Sequence, residues 1–163
     1  MIRPARPDDT FRLLELTAGT GVFKPHEVET LREVLDDYYA EAQGQGHRCV
    51  ADERDGRVVG YAYYAPAEMT DHTWQLWWIA VDRGDQGRGL GRGLLRHAED
   101  DARGHGGRLM LIETSSLPAY APTHRFYLAN GYGREAEVRD FYADGDGQVI
   151  FRKRLRGSET GGG

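Results

Sequence analysis

The sequence predicts a mixed α/β fold: one mostly antiparallel sheet flanked by about four helices. Three observations lead there. Apolar strand-like segments joined by tight turns stand in the first half and at the end of the chain. Two helix-period patterns fill the region before residue 45. A lone strand–helix–strand crossover lies between the hairpins, where "LWWIAV" leads through a glycine-rich stretch and a helix to "RLMLIET". A doubly wound sheet would instead alternate strands and helices throughout. The 163 residues, 39% apolar and 29% charged, are enough for about one domain with a sizeable core.

Each element has its own signal. "IRPA" is a short first strand, and "DDTFRLLELTAG" is a helix with Asp8 or Asp9 as its N-cap and Gly19 as its stop. In "KPHEVETLREVLDDYYAEAQGQG", Pro25 suits a first helical turn, and Val28, Leu31, Val34, Leu35 and Tyr38 form one apolar face. Glu33, Asp36, Asp37 and Glu41 fall largely on the other side, as a solvated face or an attraction for a cationic substrate. "HRCVADERDGRVVGYAYYAP" is a hairpin turning at Asp55-Gly56. "TWQLWWIAV" follows a loop holding Glu68, Asp71 and His72. A helix from Leu90 to Arg103 comes next, then "RLMLIET", whose continuous apolar character predicts burial on both faces. "APTHRFYLANG" is a short helix, and "REAEVRDFYADGDGQVIFRKRL" is a final hairpin around Gly-Asp-Gly. Residues 1–156 make a single domain, and 157–163 a disordered tail.

Composition excludes several classes of partner. A formal net charge of -5 argues against nucleic acid. The longest apolar run, "LWWIAV", is too short for a bilayer, and "MIRPARPDD" lacks the apolar core of a secretory signal, so no membrane is expected and the cytoplasm is the default. Cys49 is the only cysteine, which precludes an internal disulfide and reads as a buried thiol. His26, His47, His72, His97, His105 and His124 show no metal-binding spacing, so no metal is expected. Ser115 and Ser116 lack a nucleophile elbow and read as loop or capping residues.

The stretch "VDRGDQGRGLGRGLL" raises the chemical question. Glycines between the strand end Val81 and the helix start Leu90 free backbone N–H groups at the positive end of a helix dipole, a site for an anion such as phosphate. Arg83, Arg88, Arg92 and Arg96 crowd around it. A P-loop fails because no Gly-Lys-Ser/Thr is present. The dinucleotide pattern G-x-G-x-x-G fails because its last glycine falls on Arg92 or Leu94. The pattern Gln/Arg-x-x-Gly-x-Gly/Ala fits Gln86-Gly87-Arg88-Gly89-Leu90-Gly91 at every fixed position.

With that motif, the late "RFYLANGYG", the opening "IRPARPDD" and the paired final strands, residues 2–155 resemble the GNAT superfamily of acyl-CoA-dependent N-acyltransferases. The resemblance implies a GNAT fold, with a seven-stranded sheet whose central strands 4 and 5 splay apart. It implies acetyl-CoA as co-substrate, with the pantetheine arm along Ile79 and Val81 and the pyrophosphate wrapped by Gln86, Gly87, Arg88, Gly89, Leu90, Gly91 and Arg92. Arg83 or Arg88 would reach coenzyme phosphates. Tyr127 stands where the family often has its general acid and would also touch the coenzyme. The chain departs from the family in two places. Many relatives carry a glutamate on the fourth strand, but here only Gln75 is available, leaving Glu113 as the leading base, Asp71 and His72 behind it, and a water chain open. Tyr120 replaces an asparagine that often contacts the coenzyme arm.

For the acceptor, Trp77 faces away from Trp74 and Trp78 and is a candidate pocket wall, with Asp71 and His72 as further candidates. The implied activity is transfer of an acetyl group to a primary amine, that of a small molecule before that of a protein lysine or N-terminus, by direct attack in a ternary complex. The alternative is a non-catalytic acyl-CoA sensor or interaction module. A homodimer is also compatible with the family.

Overall fold

The computed structural model describes residues 1–157, so of the tail expected over 157–163 only Gly157 falls within the described residues. The strands are β1 (Ile2–Pro4), β2 (Arg48–Arg54), β3 (Arg57–Pro66), β4 (Thr73–Val81), β5 (Leu109–Ser115), β6 (Gly133–Ala143) and β7 (Asp146–Arg154). The α-helices are α1 (Thr10–Gly19), α2 (Pro25–Ala40), α3 (Leu90–Gly104) and α4 (Ala121–Ala129). The strands belong to one seven-stranded sheet in the order β1-β2-β3-β4-β5-β7-β6. Pairs β1/β2, β2/β3, β5/β7 and β6/β7 are antiparallel, whereas β4 and β5 run parallel, as their crossover through α3 requires. The parallel register joins Thr73–Leu76 to Leu109–Ile112, although β4 continues to Val81 and β5 to Ser115. A ladder over only the first halves of the two strands is the splayed pair expected of the fold.

Contact density divides the chain into two compact units. The first is Met1–Ala65 with Trp77–Ala98. Its core gathers Leu13, Leu14 and Leu16 of α1, Leu31, Leu35 and Tyr38 of α2, and Cys49, Ala51, Val58, Tyr61 and Tyr63 of the first hairpin. Removing a Leu-sized side chain from water contributes about 1.5–3 kcal/mol, so these helices are held chiefly by their apolar stripes. Pro25 opens α2, and the Glu27 carboxylate accepts the Lys24 N–H at 3.1 Å. Asp55 and Gly56, both with positive φ, form the expected two-residue turn between the paired Arg54 and Arg57. The Cys49 thiol is buried, and burial pushes its pKa up, away from reactivity.

The second unit is Pro66–Leu76 with the described residues from Glu99 on. Its buried residues include Trp74, Leu76, Met110, Ile112, Tyr127, Tyr132, Val149 and Phe151. Buried Glu99 accepts a hydrogen bond from the Tyr132 hydroxyl at 2.7 Å and pairs with Lys153 at 3.1 Å, tying α3 to β7.

Three local expectations change. Asp9 takes the N-cap position of α1, as the sequence predicts, yet its carboxylate takes the Arg6 N–H at 2.8 Å and Arg3 at 2.8 Å in place of a side-chain bond to the helix. The last hairpin turns at Asp144-Gly145, because Asp146 already pairs with Ala143 and Gly147 lies in β7. β5 is covered on one side: Met110, Ile112 and Thr114 are buried, Leu109 and Leu111 are half-buried, and Glu113 is exposed. An apolar run carries no record of which side a layer covers. β4 has the same asymmetry, with Trp74, Leu76 and Ala80 buried and Gln75, Trp77, Ile79 and Val81 more open.

Candidate functional site

The glycine-rich loop begins where β4 ends. The Asp82 N–H still bonds to Val59 O at 2.7 Å, while its carboxylate leaves the strand and accepts the Gly84 N–H at 2.9 Å. A single helical turn, Arg83–Asp85, follows. Gln86 reaches back, its side-chain amide donating to Val81 O at 3.3 Å. Gly87 and Gly89 have φ of 82° and 78°, values that L side chains adopt at a cost, so the glycines here are a backbone requirement. A Cβ at either would meet nothing within 4 Å, which leaves open space on that side of the loop.

The first helical bond of α3 runs from Gly93 N–H to Gly89 O, at 3.0 Å. The N–H groups of Leu90, Gly91 and Arg92 therefore precede the helical ladder and stand at the positive end of the helix dipole. Arg88 and Arg92 are exposed, and Arg88 is only loosely held by Asp85, at 3.5 Å. Together these features leave unused backbone donors at the positive end of a helix, an arrangement able to receive an anion.

Further back on β4, Ile79 and Val81 are half-buried on the same side of the strand as Trp77. Trp77 is 44% exposed, high for an interior strand. One side of its indole packs on Tyr63, with centroids 5.3 Å apart, and His47 meets it edge-on at 5.0 Å. His47 Nδ1 and the Tyr63 hydroxyl lie 2.6 Å apart. The structure thus joins Trp77 to His47 and Tyr63, neither of which the sequence singled out for this role.

In the second unit, Tyr127 of α4 is 3% exposed, with its ring among Phe126, Tyr132 and Phe151. Among the described residues its hydroxyl has no hydrogen-bond partner. Burial, reinforced by Tyr120, pushes the phenol's pKa well above its ordinary value, so the group stays protonated at neutral pH. Tyr120 is itself buried in the turn before α4. Glu113 is exposed and accepts a hydrogen bond from the Gln148 amide at 2.9 Å. Asp71 and His72 bond to each other at 2.8 Å at the start of β4, whereas the glycine loop follows its end. The His72 bond lowers the Asp71 carboxyl pKa, and Arg108, drawn to Asp71, lowers it further.

Sequence reasoning also missed the carboxylates that frame the loop. Asp82 holds Arg12 of α1 and Arg57 of β3, and Asp85 accepts Arg57 at 3.0 Å. The Asp82–Gly84 spacing was a local signal for the turn, but partners 70 and 25 residues away had none. Among the described residues, no three His, Cys, Asp or Glu side chains group as a metal site. No described helix is long and apolar enough to cross a membrane.

The model of the acetyltransferase (GNAT) family matches residues 11–132, including the loop and "RFYLANGY". No curated protein matches. Among solved structures, a GNAT-family protein from Desulfovibrio desulfuricans is 36% identical, with 96% of this chain and 99% of that chain covered at TM-score 0.91. The yncA protein of Salmonella typhimurium, solved with its cofactor acetyl-CoA, is 20% identical, with 99% and 97% covered at TM-score 0.75. An aminoglycoside 6'-N-acetyltransferase from Enterococcus faecium is 15% identical, with 97% and 98% covered at TM-score 0.75. The last two share the fold; the family match and the 36% relative carry the assignment. With strand order, parallel crossover and glycine-rich loop in agreement, this chain belongs to the GNAT family of acetyltransferases.

Proposed function

We propose that the protein transfers an acetyl group from acetyl-CoA to a primary amine of a small molecule, by direct attack within a ternary complex. The observation that carries this is the cradle at the N-terminus of α3, which suits a pyrophosphate through Gln86, Gly87, Arg88, Gly89, Leu90, Gly91 and Arg92. Ile79 and Val81 take the pantetheine arm on the open side of β4, and Tyr120 and Tyr127 are the further coenzyme contacts that the family likeness implies. The coenzyme supplies an acyl group activated as a thioester.

The chain's residues handle the protons. An alkyl amine has a pKa of about 10.4 and is mostly ammonium at neutral pH. Glu113, directly or through water, takes the proton that must leave before nitrogen can bond to the carbonyl carbon. A β4 backbone N–H stabilises the charge developing on the carbonyl oxygen. As the carbon–sulfur bond breaks, Tyr127 gives its proton to the departing thiolate and regains one from the nitrogen, which sheds its second proton, leaving an amide and free coenzyme A. Trp77 walls the acceptor site. Asp71 and His72, tied to Arg108, stand as outer acceptor contacts.

The same reading treats residues 1–156 as a single domain working in the cytoplasm, in keeping with one buried thiol. It includes a homodimer, for which sedimentation is the measure, and β6, exposed along its whole length, offers an unpaired edge. The test of function is free-thiol release from acetyl-CoA across a panel of primary amines. Amine-dependent release that follows acceptor identity supports the reading. Thermal stabilisation by acetyl-CoA with no turnover on any amine would favour the sensor alternative, and no stabilisation would sink both.

A further inference from the structure

We propose that Asp82 is the positioning residue of the pyrophosphate loop, holding α1, β3 and the loop backbone in one register through a single carboxylate. This rests on the coenzyme reading above and extends it to residues outside the glycine motif. Oδ1 of Asp82 accepts the Gly84 N–H at 2.9 Å, setting the turn that leads to the glycines. Oδ2 accepts Arg12 and, at 2.8 Å, Arg57. Both arginines are anchored elsewhere: Arg12 Nε donates to Val58 O at 2.9 Å, and Arg57 also reaches Asp85 at 3.0 Å. Asp82 is tied on its backbone side as well, its N–H bonding to Val59 O. The loop therefore leaves β4 with both main chain and side chain fixed against the first hairpin.

The charges in this frame balance. Arg12, Arg57 and Arg88 face Glu15, Asp82 and Asp85, each arginine paired with at least one of the carboxylates. Arg12 and Arg57 are thus committed to holding the loop, and the attraction for a pyrophosphate falls to backbone N–H groups and the exposed Arg88 and Arg92. Preorganised donors bind an anion more tightly than the same donors on a mobile loop, because their ordering is completed before the ligand arrives.

This assignment makes a prediction of sign. Asp82→Asn removes a negative charge beside an anion site, so electrostatics alone would tighten coenzyme binding. Positioning demands the opposite: coenzyme A should bind about tenfold more weakly, from loss of the charge-assisted bonds to two arginines. Calorimetry with coenzyme A gives the dissociation constant directly. Turnover of acetyl-CoA against acetylpantetheine, a donor without the pyrophosphate, locates the effect. The variant should lose kcat/KM for acetyl-CoA through KM and keep that for acetylpantetheine, whereas general damage would lower both alike. Asp82→Glu, which keeps the charge but lengthens the side chain, should also weaken coenzyme A binding, where charge alone predicts no change, and serves if Asp82→Asn does not fold. Tighter or unchanged coenzyme A binding in both variants, or equal loss with both donors, overturns the positioning role. Wild-type protein that does not bind coenzyme A at all overturns the coenzyme reading beneath it.

Discussion

Tyr127 and Glu113 have opposite environments, and the duties proposed for them differ accordingly. The Tyr127 phenol is enclosed by rings, and burial disfavours its charged form, so it keeps its proton through the neutral range. Tyr127→Phe should lower kcat by about a hundredfold, the usual worth of a general acid, while leaving the dissociation constant for coenzyme A unchanged. Stopped-flow or steady-state thiol release with parallel calorimetry reads both; an unchanged kcat removes Tyr127 from the mechanism. Glu113 stands in solvent with the Gln148 amide on one oxygen, and substitution tests its proposed part as the base. Glu113→Gln should lower the rate at pH 7 by about tenfold or more and recover as pH rises towards the amine's pKa near 10.4, where the acceptor deprotonates unaided. A loss that stays constant with pH would assign Glu113 to orienting the acceptor instead. Trp77 belongs to the same scale: alternation along the strand identified its side, but its contacts with His47 and Tyr63 arise from packing between distant segments.

At the scale of elements, the β4–loop–α3 unit is where local sequence and tertiary geometry agree. The motif was legible because its demands are local: positive φ at Gly87 and Gly89 and a helix beginning at Leu90. Gly89→Ala should impose a backbone strain of about 1–2 kcal/mol and weaken coenzyme A binding, seen by denaturant unfolding and calorimetry. Gly93→Ala is its counterpart. Gly93 lies inside α3 without a positive φ, and a methyl group there would meet nothing within 4 Å. The substitution should stabilise by about 1 kcal/mol without affecting the coenzyme. Equal loss of binding in both would show that glycine content, and not loop conformation, sets affinity. The asymmetry of β5 was less legible. "RLMLIET" reads as buried on both faces, whereas Leu109, Leu111 and exposed Glu113 share the open side.

At the scale of the whole molecule, order and type of the major elements followed from the sequence, and acid behaviour follows from ion pairs that the sequence hides. Asp9 and Asp52 are both largely buried. Burial pushes their carboxyls up, but Arg3 and the Arg6 N–H for Asp9, and Arg54 and the N-terminus for Asp52, outweigh it and leave both lowered. A carboxyl lower in the folded than in the unfolded chain stabilises the fold above the ordinary carboxylate range, and that contribution fades as pH falls through the folded-state value. Unfolding free energy should therefore be flat near neutral pH and decline below about pH 4. Asp9→Asn should reduce stability at pH 7 and make the acid decline shallower, as urea titrations at several pH values would reveal; an acid slope identical to wild type would rule out this linkage.

The sequence by itself determined the strand and helix order, the hairpin turn at Asp55-Gly56, the glycine-rich loop before α3 and the family likeness, because each depends on residues a few positions apart. Tertiary structure alone decided where Asp9 directs its carboxylate, which side of β5 is open, which rings surround Trp77, and that Asp82 joins Arg12 to Arg57. Those features depend on which distant segments pack together, and chain spacing carries no measure of that.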